Sequence, residues 1–229
     1  LNDGAVPAVS SEQPGTREQS RPAPSRRAFG KARVHASLLQ AARTQFARRG
    51  VAATTMDDLA RLAGVSRATA FNYFPSKNLL LQALVREMEA RFLHVIESQF
   101  ARPASAAERI SALFRWTAQG IAETPQLSRV LIGASETTFG AARDSGVRTQ
   151  RVHRALMQVL AAGRREGNVR DDLSTEILAE IVGGSYVGIL HAWRVTARYP
   201  LGRRLEEAAG ALSQLISVAP PAPRRGRAR

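Results

Sequence analysis

From residue 31 to residue 218, apolar side chains return every three or four positions, the period of a helix that turns one face to a core. The spacing predicts a helix over 31–49 with Val34, Leu38, Ala42 and Phe46 on one face and Gly50 as its stop. Two short helices follow at 56–63 and 67–74. A long helix at 77–99 carries the stripe Leu81, Leu84, Val85, Met88, Phe92, Val95 and Ile96. Others are predicted near 105–122, 126–137, 148–166, 175–196 and 203–217. No run alternates as a strand would, and nothing repeats. The expectation is an all-α protein of nine helices.

The ends break this pattern. Residues 1–30, rich in Pro, Ser, Gly, Gln and Arg, predict a disordered basic arm, and residues 219–229 a disordered basic tail. If the arm lies along DNA, Arg26, Arg27, Lys31 and Arg33 are placed to meet a minor groove or phosphates.

One segment changes the picture from fold to function. Residues 55–77 read TMDDLARLAGVSRATAFNYFPSK. Thr55 is placed to cap the first short helix, with Asp57 and Asp58 in its first turn, where the helix dipole favours negative charge. Gly64 can take the left-handed conformation that ends it, and Ser66 can cap the next. Ala60 is small where two helices must cross closely. This is the arithmetic of a helix-turn-helix, whose second helix enters the major groove of DNA. Its outward positions are Arg67, Ala68, Phe71 and Asn72. Arg can bond guanine O6 and N7, Asn can bond adenine N6 and N7, and an Ala methyl can touch thymine. Arg67, Ala68 and Asn72 are therefore the predicted base readers, and Thr55, Thr69, Tyr73 and Lys77 the predicted phosphate contacts.

Charge agrees but adds little. There are 33 Lys and Arg against 19 Asp and Glu, a formal net charge of +14, which invites a polyanionic partner. Only Lys31 and Lys77 are lysines, so part of this excess reflects an Arg-rich, Ala-rich composition. Cysteine is absent, which excludes disulfides and thiolate metal sites and suits a reducing cytoplasm. Apolar runs are interrupted well before membrane-spanning length, so no membrane role is expected, and no secretory signal is read at the start. His35, His94, His153 and His191 have no partners at metal-ligand spacing. The run Gly183-Gly184-Ser185-Tyr186-Val187 lacks the closing Gly and the preceding strand of a nucleophile elbow. Neither an enzyme nor a cofactor or metal site is expected.

Residues 33–80 resemble the DNA-binding domain of the TetR (tetracycline-repressor-like) family. The resemblance is carried by Leu38-Leu39, Ala41-Ala42, Phe46 and Gly50, by the Thr-initiated helix and Ala63-Gly64-Val65-Ser66, and by Phe71, Tyr73, Phe74, Ser76 and Lys77. Three positions depart from the pattern. Ala68 replaces a usual Gly or Pro, Gln45 a usual Leu, and Phe71 a Tyr that often bonds phosphate. The resemblance implies a helix-turn-helix domain over 31–77 followed, over 78–218, by a helical bundle for dimerisation and ligand binding. It implies a transcription regulator, most simply a homodimeric repressor released from a double-stranded DNA operator by a small-molecule effector.

In the second region, Leu205, Ala208, Ala209, Leu212, Leu215 and Ile216 make a narrow stripe, and Gly184, Gly188 and Ala192 a smooth face. Gly184, Gly188, Ala192, Leu205, Leu212, Leu215 and Ile216 are the expected dimer contacts. Phe92, Phe114, Phe139, Tyr186 and Trp193 are candidate walls of a ligand pocket, with ordinary core packing as the alternative. Two other functions remain open to the sequence: an architectural DNA binder driven by the Arg-rich tails, and a helical enzyme on the same scaffold.

Overall fold

The computed structural model describes residues 26–100, 103–138 and 143–218. Phe139, the arm before residue 26 and the tail 219–229 lie outside the described residues. Nine helices are present among those described: α1 (Arg26–Arg49), α2 (Met56–Ala63), α3 (Arg67–Tyr73), α4 (Lys77–Gln99), α5 (Ala106–Glu123), α6 (Pro125–Thr138), α7 (Arg143–Arg165), α8 (Thr175–Val195) and α9 (Leu201–Ile216). The only extended pairing among them is an isolated bridge between Val169 and Ser217.

Hydroxyl side chains set several helix starts. Thr55, Ser66, Ser76, Ser105 and Ser174 each accept a backbone N–H from the first turn of α2, α3, α4, α5 and α8. Helix α1 begins at Arg26, earlier than the expected Lys31. Arg, Ala and Lys between residues 26 and 33 propagate a helix well, and Gly30 alone does not stop one. Arg26, Arg27, Lys31 and Arg33 therefore sit on a helix and not in an extended arm.

The helices enclose two cores. Leu38, Leu39, Ala42 and Phe46 of α1 pack with Leu59 and Ala60 of α2, Ala70 of α3 and Phe74. The same cluster takes Leu80, Leu84 and Val85 from α4 and Leu131 from α6. The larger core joins Phe92 and Ile96 of α4 to α5, α7, α8 and α9, and it takes Ile132 from α6. Packing thus divides within α4, not at the 77/78 boundary that the sequence suggests, and the neighbours Leu131 and Ile132 enter different cores. Arg129 ties α6 to the end of α8: its Nη1 donates to the carbonyls of Trp193 and Arg194, both at 2.8 Å, and its guanidinium lies 4.3 Å from the Trp193 ring centre. A cation at that helix C-terminus meets the negative end of the dipole.

Helix α9 corrects the sequence reading. Leu205, Leu212 and Ile216, expected at a dimer seam, are 1%, 5% and 0% exposed and belong to the protomer's own large core. They face α5, the helix against which α9 packs most extensively. An apolar stripe must be buried, but its period does not say against which partner.

Candidate nucleic-acid interface

The turn between α2 and α3 is held at every joint. Thr55 and Asp58 form a reciprocal cap: the Thr55 hydroxyl accepts the Asp58 N–H at 3.2 Å, and the Asp58 carboxylate accepts the Thr55 N–H at 3.2 Å and its O–H at 2.7 Å. Gly64 ends α2 at φ 67°, a conformation a side chain would strain, and Val65 donates back to the Ala60 carbonyl at 3.0 Å. Ser66 accepts the Thr69 N–H at 3.0 Å and shares a hydrogen bond with the Thr69 hydroxyl at 2.8 Å. Ala60 is 3% exposed, as the close helix crossing requires.

Asp58 gives this turn an acid limit. The Thr55 hydroxyl, then the Thr55 N–H, hold its carboxyl below the ordinary aspartate value, with Arg61 and Arg49 adding to the effect. Because the folded-state value is the lower one, the stabilisation is complete above the unfolded pKa and is lost as pH falls through the folded one. Loss of α2 helicity is expected as pH drops below about 4. Circular dichroism against pH should show an acid limb that Asp58→Asn flattens, and an unchanged limb would place its origin elsewhere.

Arg67, Ala68 and Asn72 are exposed on one side of α3, as expected of base readers. Arg67 is not free: its Nη1 lies 3.0 Å from an Asp57 oxygen, and its guanidinium sits 5.4 Å from the ring centre of half-buried Phe71. The ion pair is exposed and weak enough to exchange for a base or phosphate. Phe71 thus supports Arg67 from beneath, a role the sequence did not suggest. Thr55 and Thr69 have hydroxyls engaged in caps, and Tyr73 packs half-buried against the smaller core.

Lys77 differs most from expectation. Its ammonium donates to the carbonyls of Ala52 and Thr54, at 2.9 and 3.0 Å, and so closes the loop between α1 and α2. Two of its three N–H groups serve the fold, leaving one for a phosphate. Lys77→Ala is expected to lower stability by about 1–2 kcal/mol and to weaken binding to every duplex alike, reducing the salt slope by about one. Thermal melts and salt titrations would check both effects, and an unchanged melting temperature would remove the loop-closing role.

The candidate pocket residues separate into two groups. Phe92, Phe114 and Tyr186 meet between α4, α5 and α8, with ring centres 5.3 Å (Phe92–Tyr186) and 5.5 Å (Phe114–Tyr186) apart. The Tyr186 hydroxyl lies 3.1 Å from that of Thr117, and burial pushes its pKa up to about 12, so it is neutral. Trp193, in the same core, lies against the Arg129 guanidinium. On the outer side of α8 and α9, Gly184 and Gly188 are exposed, and a Cβ at either would meet nothing within 4 Å. Ala192 and Leu215 are half-buried there. Exposed Ile177, Ile181 and Val187 extend α8's apolar surface, and Gly188, Ala208, Ala211 and Leu215 line an open groove between the two helices. Among the described residues, no cluster of His, Asp or Glu could hold a metal, and no helix is long and apolar enough to cross a membrane.

Comparison with known proteins agrees with the geometry. The sequence pattern of the bacterial regulatory proteins of the tetR family matches residues 38–84, from the first core leucine of α1 to Leu84 of α4. The chain is 27% identical over 172 residues to the HTH-type transcriptional regulator TtgR of Pseudomonas putida, covering 70% of this chain and 80% of that protein. The repressor FadR of Thermus thermophilus, solved in complex with lauroyl-CoA, superposes with a TM-score of 0.59 at 24% identity, over 82% of this chain and 98% of FadR. FadR of Bacillus subtilis, solved with stearoyl-CoA, superposes with a TM-score of 0.67 at 18% identity, over 80% of this chain and 99% of that one. Residues 38–84 thus carry the sequence pattern of the tetR family of bacterial regulatory proteins on the capped turn and its exposed second helix, and the chain is similar over most of its length to an HTH-type transcriptional regulator.

Proposed function

We propose that the protein is a homodimeric repressor that grips a double-stranded DNA operator through residues 31–77 and lets go when a small molecule binds within residues 78–218. The observation that carries this reading is the presentation of Arg67, Ala68 and Asn72 on the open side of α3, at the end of a turn whose caps are all satisfied. Thr55, Thr69, Tyr73 and Lys77 flank that surface and supply the phosphate side of the contact. A protein that works on an operator would act in the cytoplasm.

Two copies meeting through α8 and α9 would set two recognition helices in successive major grooves, about 34–36 Å apart. The surface for this is Gly184, Gly188, Ala192 and Leu215, joined by Ile181, Val187 and Ala211. The smooth glycine face allows close helix approach, and the same patch meets itself across a two-fold axis. Release follows from the shared helices. Because α4 and α6 contribute to both cores, a ligand that moves them in the larger core alters the spacing of the recognition helices. An effector that binds the altered geometry better lowers operator affinity by the same differential. The ring cluster Phe92, Phe114 and Tyr186 borders the region where such a ligand would sit.

Selection of binding sites from random duplexes, followed by a screen for compounds that release the selected operator, tests the proposal. A two-fold-related pair of half-sites is the expected result. Salt-sensitive binding with no sequence preference would favour an architectural role instead.

A further inference from the structure

Arg109, in the first turns of α5, is only 6% exposed, and its Nε and Nη1 have no hydrogen-bond partner. Its nearest carboxylate, on half-exposed Glu166, stands 3.5 Å from Nη1, beyond a strong hydrogen bond, and already accepts the Asn168 side-chain N–H at 3.1 Å. The Phe100 ring lies 5.4 Å from the guanidinium. Arg109 also lines a small cavity whose other walls are Ile96, Ile110, Leu113, Leu156 and Val159. The cavity holds about 10 Å³ of free space, room for one water that would find no second polar side chain there. A buried cation with unmet donors at the edge of an aliphatic space is expensive for the fold unless an anion arrives to complete it.

We propose that Arg109 anchors the effector, and that the effector is an amphiphile with an anionic head and an alkyl chain. The inference rests on the effector-binding reading above and names the class of ligand. The head pairs with Arg109 in place of Glu166, beside Phe100. The chain runs along α5 between α4 and α7, past Ile110 and Leu113 towards Phe114 and the Thr117–Tyr186 hydroxyl pair. From Arg109 to Thr117 is eight residues of helix, about 12 Å, the reach of a medium-length alkyl chain. A cavity of this size admits that chain only if α4 or α7 moves away from α5. Since α4 also supplies Leu80, Leu84 and Val85 to the smaller core, the movement that admits the ligand is felt at the DNA-binding end.

The test uses the full chain with laurate, lauroyl-CoA and neutral dodecanol as probes, with calorimetry as the readout. Laurate or lauroyl-CoA should bind at least about tenfold tighter than dodecanol. Arg109→Met should abolish that preference, while Glu166→Gln, which removes the competing carboxylate, should strengthen anion binding several-fold. Binding of laurate puts a carboxylate at Arg109, and binding of lauroyl-CoA alone puts a phosphate there. Equal binding of dodecanol, no binding of any probe, or an anion preference that survives Arg109→Met overturns the proposal. Should Arg109→Met fail to fold, Glu166→Gln decides, and unchanged anion affinity in that variant overturns it. Operator binding is measured on the same protein. An intact operator complex released only by unrelated neutral compounds would sink the anionic anchor and leave the repressor reading standing.

Discussion

Gly188→Leu and Ala211→Glu are expected to yield a folded monomer that no longer holds a two-half-site operator, whereas Leu212→Glu is expected not to fold. The contrast comes from which way each residue faces. Within one protomer nothing lies within 4 Å of a Cβ at Gly188, and Ala211 is exposed, so neither change disturbs the fold. Across a two-fold interface each change appears twice. Overpacking at Gly188 costs about 1–3 kcal/mol, and a buried unpaired charge at Ala211 costs about 3 kcal/mol or more. Leu212, at 5% exposure, lies in the core between α9 and α5, and Glu there loses its packing and buries a charge, about 3–5 kcal/mol together. Sedimentation at several concentrations, with circular dichroism for folding, separates these outcomes. A folded, dimeric Ala211→Glu protein would move the interface off this face.

Arg67→Ala and Asn72→Ala should relax the choice of operator, each losing about 1–3 kcal/mol of discrimination. Both side chains are exposed on α3 and neither supports the core, so stability should hardly change. Arg67 carries a further signature. Asp57 and the Phe71 ring hold it before DNA arrives, so Asp57→Asn should free the guanidinium and tighten binding to all duplexes without changing their rank. Competition between wild-type and single-base-changed operators measures the effect. If Arg67→Ala ranks those operators as the wild type does, Arg67 does not read a base.

Much of this architecture is already written in the order of residues. The helical period from Val34 to Ile216, interrupted by Gly50, Gly64 and a series of Ser and Thr caps, determines nine helices with little ambiguity, because periodicity and capping are local properties. The same holds for the turn at Gly64 and for the outward side of α3: a short helix with Ala70 buried and Arg67, Ala68 and Asn72 exposed has only one sensible orientation.

What only the tertiary structure decided is which partner each face meets. The stripe of α9 proved to be two surfaces, with Leu205, Ala209, Leu212 and Ile216 buried in the protomer's own core and Ala208 and Leu215 on the open groove, because a period reports burial without naming the neighbour. Lys77 took on a second task, closing the loop through the Ala52 and Thr54 carbonyls, more than twenty residues away in the chain. Trp193 gained Arg129 as a partner, and Arg109, unremarkable in a chain with so many arginines, became a buried cation beside the larger core. Each of these depends on contacts between residues distant in sequence, where local pattern carries no information and the packing of whole helices decides.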